Sequence, residues 1–127
     1  MIGVDIVAIS RIEKILTRSG KDFLRKFLSK GEIKSCIFEN GHWNTQRIAG
    51  FFAAKEALSK ALGCGICKEL GFMDMQIKKH KSGAPKMRLK KGVKKHFGIK
   101  KIHLSISHEK GVKGSGSGYA VAVVIVS

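Results

Sequence analysis

Acidic side chains are scarce in this sequence. Its 127 residues include nine Asp and Glu residues against 25 Lys and Arg residues, which gives a formal net charge of +16. Between Met75 and His108 the chain carries 11 Lys and Arg residues and no acid. So large an excess of positive charge indicates anionic partners, a class that includes nucleic acid, membrane surfaces, phosphorylated metabolites and acidic proteins.

Cysteines and long apolar runs are also few. Cys36, Cys64 and Cys67 are too few and too unevenly spaced for a disulfide framework, which favours a reducing compartment. Cys64 and Cys67 form a C-x-x-C pattern, but zinc would need a second pair of ligands and a thioredoxin-like site a strand-to-helix setting. We interpret the pattern as coincidental. Without an 18-residue apolar run or a signal peptide, the sequence predicts a cytoplasmic protein with no membrane span.

The remaining patterns predict a single α+β domain over residues 1–127, in which about five strands pack against a helical layer with a long central helix. Hydrophobic residues make up 43% of the chain, enough for one core. Apolar patterns predict strands at residues 2–6, 72–79, 86–89, 102–107 and 119–126. In the second of these, the side chains expected to face inward are Met73, Met75 and Ile77. Three short amphipathic helices precede the central one, and a short basic helix follows at 90–97.

Local signals predict where these helices begin and end. Capping boxes at Ser10 and Ser29 indicate two helix starts. Thr45 is the expected N-cap of the central helix, and Gly63 is its expected left-handed terminator. A glycine-rich loop is expected between Gly111 and Gly118, before the last strand.

The first strand carries an unusual carboxylate. Ile2, Val4 and Ile6 alternate with Gly3 and Asp5, so we expect Asp5 to project from the open face of an otherwise apolar strand. Aspartate is depleted in strands, and its presence here calls for a compensating partner or ion.

The central helix is expected to carry the chemistry on one side. At 3.6 residues per turn, an apolar face is formed by Ala54, Ala57, Leu58 and Ala61. Another face gathers Phe52, Glu56, Ser59, Lys60 and Gly63. Glu56 and Lys60 alone could form a simple surface ion pair. Together with Asp5, however, Glu56 supplies two carboxylates of the kind that hold Mg²⁺ beside substrate phosphates, and Lys60 could neutralise a leaving phosphate.

Three motifs occur in order along nearly the whole chain. They are Gly3-Val4-Asp5-Ile6-Val7 followed by Arg11, Phe52-Ala53-Ala54-Lys55-Glu56-Ala57 continuing through Ser59-Lys60-Ala61-Leu62-Gly63, and Ser105-Ile106-Ser107-His108. Together they resemble the holo-[acyl-carrier-protein] synthase family of 4′-phosphopantetheinyl transferases. The resemblance implies Mg²⁺-dependent transfer of phosphopantetheine from coenzyme A to a serine of apo acyl carrier protein, by a homotrimer with active sites between subunits.

The same resemblance implies roles for individual residues. Asp5 and Glu56 would hold the metal, Lys60 would bind the diphosphate and assist departure of the nucleotide phosphate, and Glu56 would remove the serine proton. Besides Lys60, the implied coenzyme A site comprises Phe52, Ser59, Gly63, Gly83, Pro85 and His108. The implied carrier-protein surface comprises Arg11, Arg18, Lys21 and Arg25. His108 would complete a neighbouring subunit's site, and Phe51 stands where the family usually has a basic residue.

Two other functions fit part of the sequence. A nucleic-acid-binding module would use the basic region 75–108 and would not need Asp5 or Glu56, but the aromatic residues are few and are not interleaved with the basic ones. A Mg²⁺-dependent nuclease would share the carboxylates, although it usually needs more than two acids to hold a metal pair.

Overall fold

The structure is a computed structural model that describes residues 1–111 and 118–127. The expected loop between Gly111 and Gly118 therefore lies mostly outside the described residues. In chain order the elements are β1 (Ile2–Ala8), α1 (Ile9–Ser19), α2 (Lys21–Leu24), α3 (Lys30–Ser35), α4 (Thr45–Ala61), a 3₁₀ turn (Phe72–Asp74), β2 (Met75–Lys79), β3 (Pro85–Leu89), α5 (Lys91–His96), β4 (Ile102–Glu109) and β5 (Tyr119–Val126).

The strands form two antiparallel sheets. One has the order β1-β5-β4, and the other is the β2-β3 hairpin. The long helix α4 packs across one face of the larger sheet, mainly against β1 and β5. The predicted α+β class and the long central helix are confirmed. Within the described residues, no helix has the length and apolar character needed to cross a membrane.

Two glycines let α4 approach the sheet closely. A Cβ at Gly3 would overlap the carbonyl oxygen of Ala57, and one at Gly50 would lie 2.9 Å from the Ile106 side chain. Because β1 presents Gly3 to the helix, its alternate residues Asp5 and Val7 face the helix as well. The expectation that Asp5 projects from the open face is therefore wrong. The side chains left open on β1 are the apolar ones, Ile2, Val4 and Ile6.

The helix ends follow the local signals only in part. The capping box at Ser29 is confirmed, since Ser29 Oγ accepts from the Glu32 N–H at 3.3 Å and Glu32 Oε1 accepts from the Ser29 N–H at 2.9 Å. The one at Ser10 is wrong, because β1 runs directly into α1 and that helix already begins at Ile9. Asn44, not Thr45, caps α4 through its side chain, and Gly63 terminates the helix with φ 76° as predicted.

The second predicted strand is shorter than expected. Residues 72–74 form a 3₁₀ turn closed by a hydrogen bond from the Gly71 N–H to Asp74 Oδ2 at 2.8 Å. Met75 and Ile77 are buried as predicted, but Met73 lies in the turn and is 40% exposed. The inward orientation predicted for Met73 is therefore wrong.

A buried ion pair fixes α4 against the smaller helices. Lys55 is fully buried, and its Nζ lies 2.8 Å from Glu32 Oε1. It also donates to the carbonyl oxygens of Phe27 and Phe72, at 2.6 and 3.2 Å. Glu32 in turn accepts from the Ile77 N–H at 2.9 Å. One pair of charges thus connects α3, α4 and β2. It fixes the rotation of α4 about its own axis, and with it the directions in which Glu56 and Lys60 project.

Candidate active site

Asp5 and Lys60 meet where β1 passes under the C-terminal half of α4. Lys60 Nζ donates to Asp5 Oδ1 at 2.8 Å. The Asp5 side chain is only 15% exposed, whereas that of Lys60 is 54% exposed. Glu56 lies one turn before Lys60 on the same helix and is half-buried. Among the ion pairs of the described residues, the partner of Lys60 is Asp5, so the surface pair of Glu56 with Lys60 is not formed.

The charges in this cluster act on one another. Burial and the neighbouring Asp5 charge raise the pKa of Glu56, while Lys60 and Arg11 act in the opposite direction. The hydrogen bond to Asp5, together with its charge, raises the pKa of Lys60. The structure therefore brings Asp5, Glu56 and Lys60 together, as the sequence predicted, and adds Arg11 of α1 at the edge of the cluster.

The two carboxylates suit a hard divalent cation. Asp5 and Glu56 offer oxygen ligands close enough for one charge to raise the pKa of the other. No third His, Cys, Asp or Glu side chain joins such a group anywhere in residues 1–111 or 118–127. Magnesium is commonly bound by one or two carboxylates and completes its shell with water and substrate phosphate. The residues present therefore fit Mg²⁺.

The C-x-x-C cysteine pair lies just beyond this end of α4. Cys64 is exposed and Cys67 is partly exposed. Burial and the adjacent Cys67 raise the pKa of the Cys64 thiol to about 11. At neutral pH that thiol is protonated, which disfavours it as a nucleophile or metal ligand.

Other residues expected on the open face of α4 have different surroundings. Ser59 is fully buried, and its Oγ donates to the Glu56 carbonyl oxygen at 2.6 Å. Its role in the coenzyme A site stays a prediction. Phe52 is half-buried against Phe27 and Phe72, with ring centroids 5.1 and 6.0 Å away. Gly63 is exposed, one turn beyond Lys60.

Gly83, Pro85 and His108 line a second site, a cavity of about 380 Å³ between the β2-β3 hairpin, α4 and β4. The three residues were predicted to share a coenzyme A site, and the structure places them together. Two cations that sequence reasoning missed, Arg47 and Lys79, line the same cavity. The available signals were local: Arg47 lies one turn before Phe51 on α4, and Lys79 ends β2 next to the hairpin turn.

The two sites lie on opposite sides of α4. Asp5 is on β1, and His108 is on β4, with β5 between them, a separation of roughly 10 Å across the sheet. Lys60 and Phe51 project from α4 in directions about 180° apart around the helix axis. Phe51 lines the cavity of His108, so the carboxylate cluster and this cavity open on different sides of the helix.

The expected carrier-protein surface follows α1 and α2. Its four basic residues, all exposed, are Arg11, Arg18, Lys21 and Arg25. Arg25 makes a weak contact with Asp22, with its Nη1 3.5 Å from Asp22 Oδ1. Arg11 is the member that reaches the carboxylate cluster, because its charge acts on Glu56.

Comparisons with known proteins identify the family of this chain. Residues 1–124 match the model of the 4′-phosphopantetheinyl transferase superfamily. A holo-[acyl-carrier-protein] synthase of Campylobacter hominis is 44% identical over 99% of this chain and 96% of its own length, and one of Helicobacter pylori strain J99 is 47% identical over 100% and 97%. The crystal structure of a Helicobacter pylori holo-[acyl-carrier-protein] synthase in complex with coenzyme A superposes with a TM-score of 0.87, at 46% identity over the whole of both chains. The chain therefore belongs to the holo-[acyl-carrier-protein] synthase family within the 4′-phosphopantetheinyl transferase superfamily.

Proposed function

We propose that this chain transfers the 4′-phosphopantetheine group of coenzyme A to a serine hydroxyl of apo acyl carrier protein, with Mg²⁺, and releases adenosine 3′,5′-bisphosphate. The observation that carries the proposal is the cluster of Asp5, Glu56 and Lys60 in a member of this family. The coenzyme A complex of the Helicobacter pylori relative supports the same co-substrate here.

Asp5 and Glu56 would hold the metal. Bound there, Mg²⁺ would neutralise charge on the diphosphate of coenzyme A. The position of the Asp5 carboxylate favours this role, because its side chain is only 15% exposed and β1 holds it in place against α4. Lys60 is half exposed, so it can meet a phosphate that enters from solvent.

Lys60 and Glu56 would have different roles in the transfer step. The serine oxygen forms a bond to the phosphorus next to the pantetheine, and the bond from that phosphorus to the oxygen bridging the diphosphate breaks. The ammonium group of Lys60 would stabilise negative charge on the departing nucleotide phosphate. Glu56 would accept the serine proton.

The cavity of His108 would receive the nucleotide part of coenzyme A. At Gly83 the φ angle is 87° and no atom lies within 4 Å of a built Cβ, so the turn can approach a ligand closely. Phe51 contributes an apolar wall where a cation is usual in the family. Arg47 and Lys79 line the same cavity and would supply the positive charge for phosphate.

A homotrimer would unite the two sites, because a neighbour's cavity of His108 could face the carboxylate cluster across a subunit boundary. The outer face of the larger sheet supports this assembly. Its exposed apolar side chains are Ile2, Val4, Ile6, Tyr119 and Ile125, which are 48% to 66% exposed. A contiguous apolar face of this kind marks an interaction surface. In the assembly, the same contact would bury this face and complete the active site.

An acidic carrier protein would dock on the basic surface of α1 and α2. The exposed cations there begin at Arg11, whose charge acts on Glu56. A helix of the carrier protein that lies along these cations could therefore present its serine to Glu56. Charge complementarity of this kind speeds association and fixes orientation more than it adds affinity. The cytoplasmic location expected from the sequence stays a prediction.

Mass spectrometry tests the proposal directly. Apo acyl carrier protein incubated with this protein, coenzyme A and Mg²⁺ should gain the phosphopantetheine mass, and chelation of the metal with EDTA should prevent the gain. Asp5→Asn should slow transfer at least about 100-fold, whereas Asp22→Asn, which changes an exposed aspartate of α2, should not. A carrier protein left unmodified by the wild type, or modified at the wild-type rate by Asp5→Asn, would contradict the proposal.

A further inference from the structure

A second concentration of positive charge lies away from both sites. It lines a cleft of about 410 Å³ between β3, α5 and the start of β4. Its cationic side chains, all exposed, are Lys86, Arg88, Lys94, Lys100 and Lys101. We call this feature the basic cleft. It contains about half of the positive residues in the acid-free stretch between Met75 and His108, which the proposed function leaves largely unused.

The charges of the basic cleft are not balanced within the described part of the chain. The four ion pairs found there involve Arg25, Lys55, Lys60 and Lys90, none of which lines the cleft. No acidic side chain lines it either. Like charges held this close repel one another, so a bound anion would relieve the repulsion.

The lining also indicates which anion. Lysine ammonium groups and an arginine are phosphate-binding groups, and a volume of this size suits a small molecule. The other lining residues are Met87, Leu89, Ile102 and His103, so the lining offers one imidazole ring and no Phe, Tyr or Trp on which successive nucleic-acid bases could stack. Several cations around a few apolar residues match a compact ligand with several negative charges better than an extended strand.

We propose that the basic cleft binds a small molecule that carries two or more linked phosphates, at a position separate from the transfer site. Lys86 and Arg88 reach it from alternate positions of β3, and both are exposed because Met87 between them points into the core. Lys94 approaches from α5. Gly98, with φ 64°, turns the chain after α5 and lets Lys100 and Lys101 form the opposite wall.

Calorimetric titration with inorganic tripolyphosphate tests the proposal. The titration uses the full chain at about 150 mM salt without Mg²⁺, with and without saturating coenzyme A. Coenzyme A is included because tripolyphosphate could also enter the transfer site. We expect one equivalent per chain to bind even when coenzyme A is saturating. The double variant Lys86→Glu/Lys94→Glu should weaken this binding at least tenfold and should retain phosphopantetheine transfer.

Two further variants keep the test specific. Lys30→Glu/Lys34→Glu changes the net charge equally at exposed positions of α3, and should alter tripolyphosphate binding less than about twofold. Lys86→Gln/Lys94→Gln makes a milder change and should produce a smaller loss in the same direction, with thermal unfolding used to confirm that each variant is folded.

Several results would overturn the proposal. They are the absence of binding when coenzyme A is saturating, unchanged affinity in both cleft variants, and equal weakening in the α3 control, which would indicate a general charge effect. If an eight-nucleotide single strand binds the cleft more tightly than tripolyphosphate does, and the cleft variants weaken that binding, then the ligand of the cleft is nucleic acid and not a small phosphate compound. Because the deciding readout is binding of tripolyphosphate, failure of the transfer proposal would remove only the comparison of activities and would leave the binding result unaffected.

Discussion

The ammonium group of Lys60 lies 2.8 Å from the carboxylate of Asp5, which comes 55 residues earlier in the chain. The contact joins the first strand to the last turns of α4 at the point where Glu56 also projects. Lys60 would have two possible partners, because a substrate phosphate can compete with Asp5 for the same ammonium group. The geometry thus places a cation beside the predicted metal site.

Replacing Lys60 should impair transfer far more than folding. Lys60→Met removes the cation that would stabilise the leaving phosphate, and we expect kcat to fall about 100- to 1,000-fold. Because Lys60 is exposed, the thermal unfolding temperature should change little. Steady-state kinetics and thermal unfolding measure the two effects, with Lys34→Met on exposed α3 as the control. A loss of stability that accounts for all the lost activity would show that the residue is structural.

The raised pKa of Glu56 predicts opposite effects on activity and stability. Since the folded-state pKa is above the ordinary value of 4.5, folding favours the protonated form, and stability from this group is lost as pH rises through the folded pKa. Glu56→Gln should therefore be at least as stable as the wild type at pH 7, although it loses transfer. Chemical denaturation at pH 4 and 7 in the absence of Mg²⁺ and steady-state kinetics in its presence test this. Lower stability of the variant at pH 7 would contradict it.

The buried ion pair shows what the sequence could and could not predict. The motif around Lys55 predicts a helix, which the structure confirms, but helical periodicity does not show that Lys55 is fully buried. Its partner Glu32 lies 23 residues away, and its other acceptors are backbone carbonyl oxygens. A long-range partner leaves no periodic signal, whereas Ser29 and Glu32, three residues apart, gave a capping box that the structure confirms.

The same distinction explains the carboxylate site. The meeting of Asp5 and Glu56 could be predicted because specific motifs carried both residues. The face of β1 on which Asp5 lies could not, because the alternation of Ile2, Val4 and Ile6 with Gly3 and Asp5 does not state which side is covered. Gly3 decides it, since only a residue without Cβ allows the Ala57 backbone so close. Sequence patterns are usually interpreted on the assumption that the apolar side of a strand points inward. In β1 the apolar side, formed by Ile2, Val4 and Ile6, is the exposed one.

Removing the carboxylate of Glu32 should destabilise the fold strongly. Glu32→Gln leaves the Lys55 ammonium group buried without a counter-charge, which typically costs about 3–5 kcal/mol. Burial already lowers the pKa of Lys55 from its ordinary 10.5, and without Glu32 it should fall further. A lowered folded-state pKa means that stability is regained as pH rises towards 10.5, so the deficit should shrink at high pH. Denaturant unfolding at pH 7 and 9.5 measures it, with exposed Glu13→Gln as the control. A deficit that does not change with pH would indicate lost packing instead.

Reversing the charge of Arg18 should weaken recognition of the carrier protein alone. Arg18 is exposed on α1, and we expect Arg18→Glu to raise the apparent KM for acyl carrier protein several-fold while the KM for coenzyme A stays unchanged. The increase should be larger at low salt, where surface charges are less screened. Lys94→Glu makes the same change of charge on α5 and serves as the control. Equal increases in both KM values would contradict a separate carrier-protein surface.

Mixing two inactive variants tests whether the active site lies between subunits. Asp5→Asn damages the carboxylate cluster, and His108→Ala damages the cavity on the other side of the chain. If each active site takes the cluster from one subunit and the cavity from its neighbour, random mixed oligomers contain intact sites. With equal amounts of the two variants, about a quarter of all sites should be intact, because each half is wild type in half of the subunits.

The recovered activity should therefore approach about a quarter of the wild-type value after the two variants are unfolded and refolded together. It should be absent when the variants are refolded separately, mixed and assayed immediately. A site built within one chain gives a different result, because no chain in the mixture carries both intact halves and activity stays at the level of the separate variants. Val4→Glu supplies the structural control. It places a charge on the exposed face of β1 that would be buried between subunits, so adding it to both variants should abolish both the oligomer, measured by light scattering, and the recovery of activity.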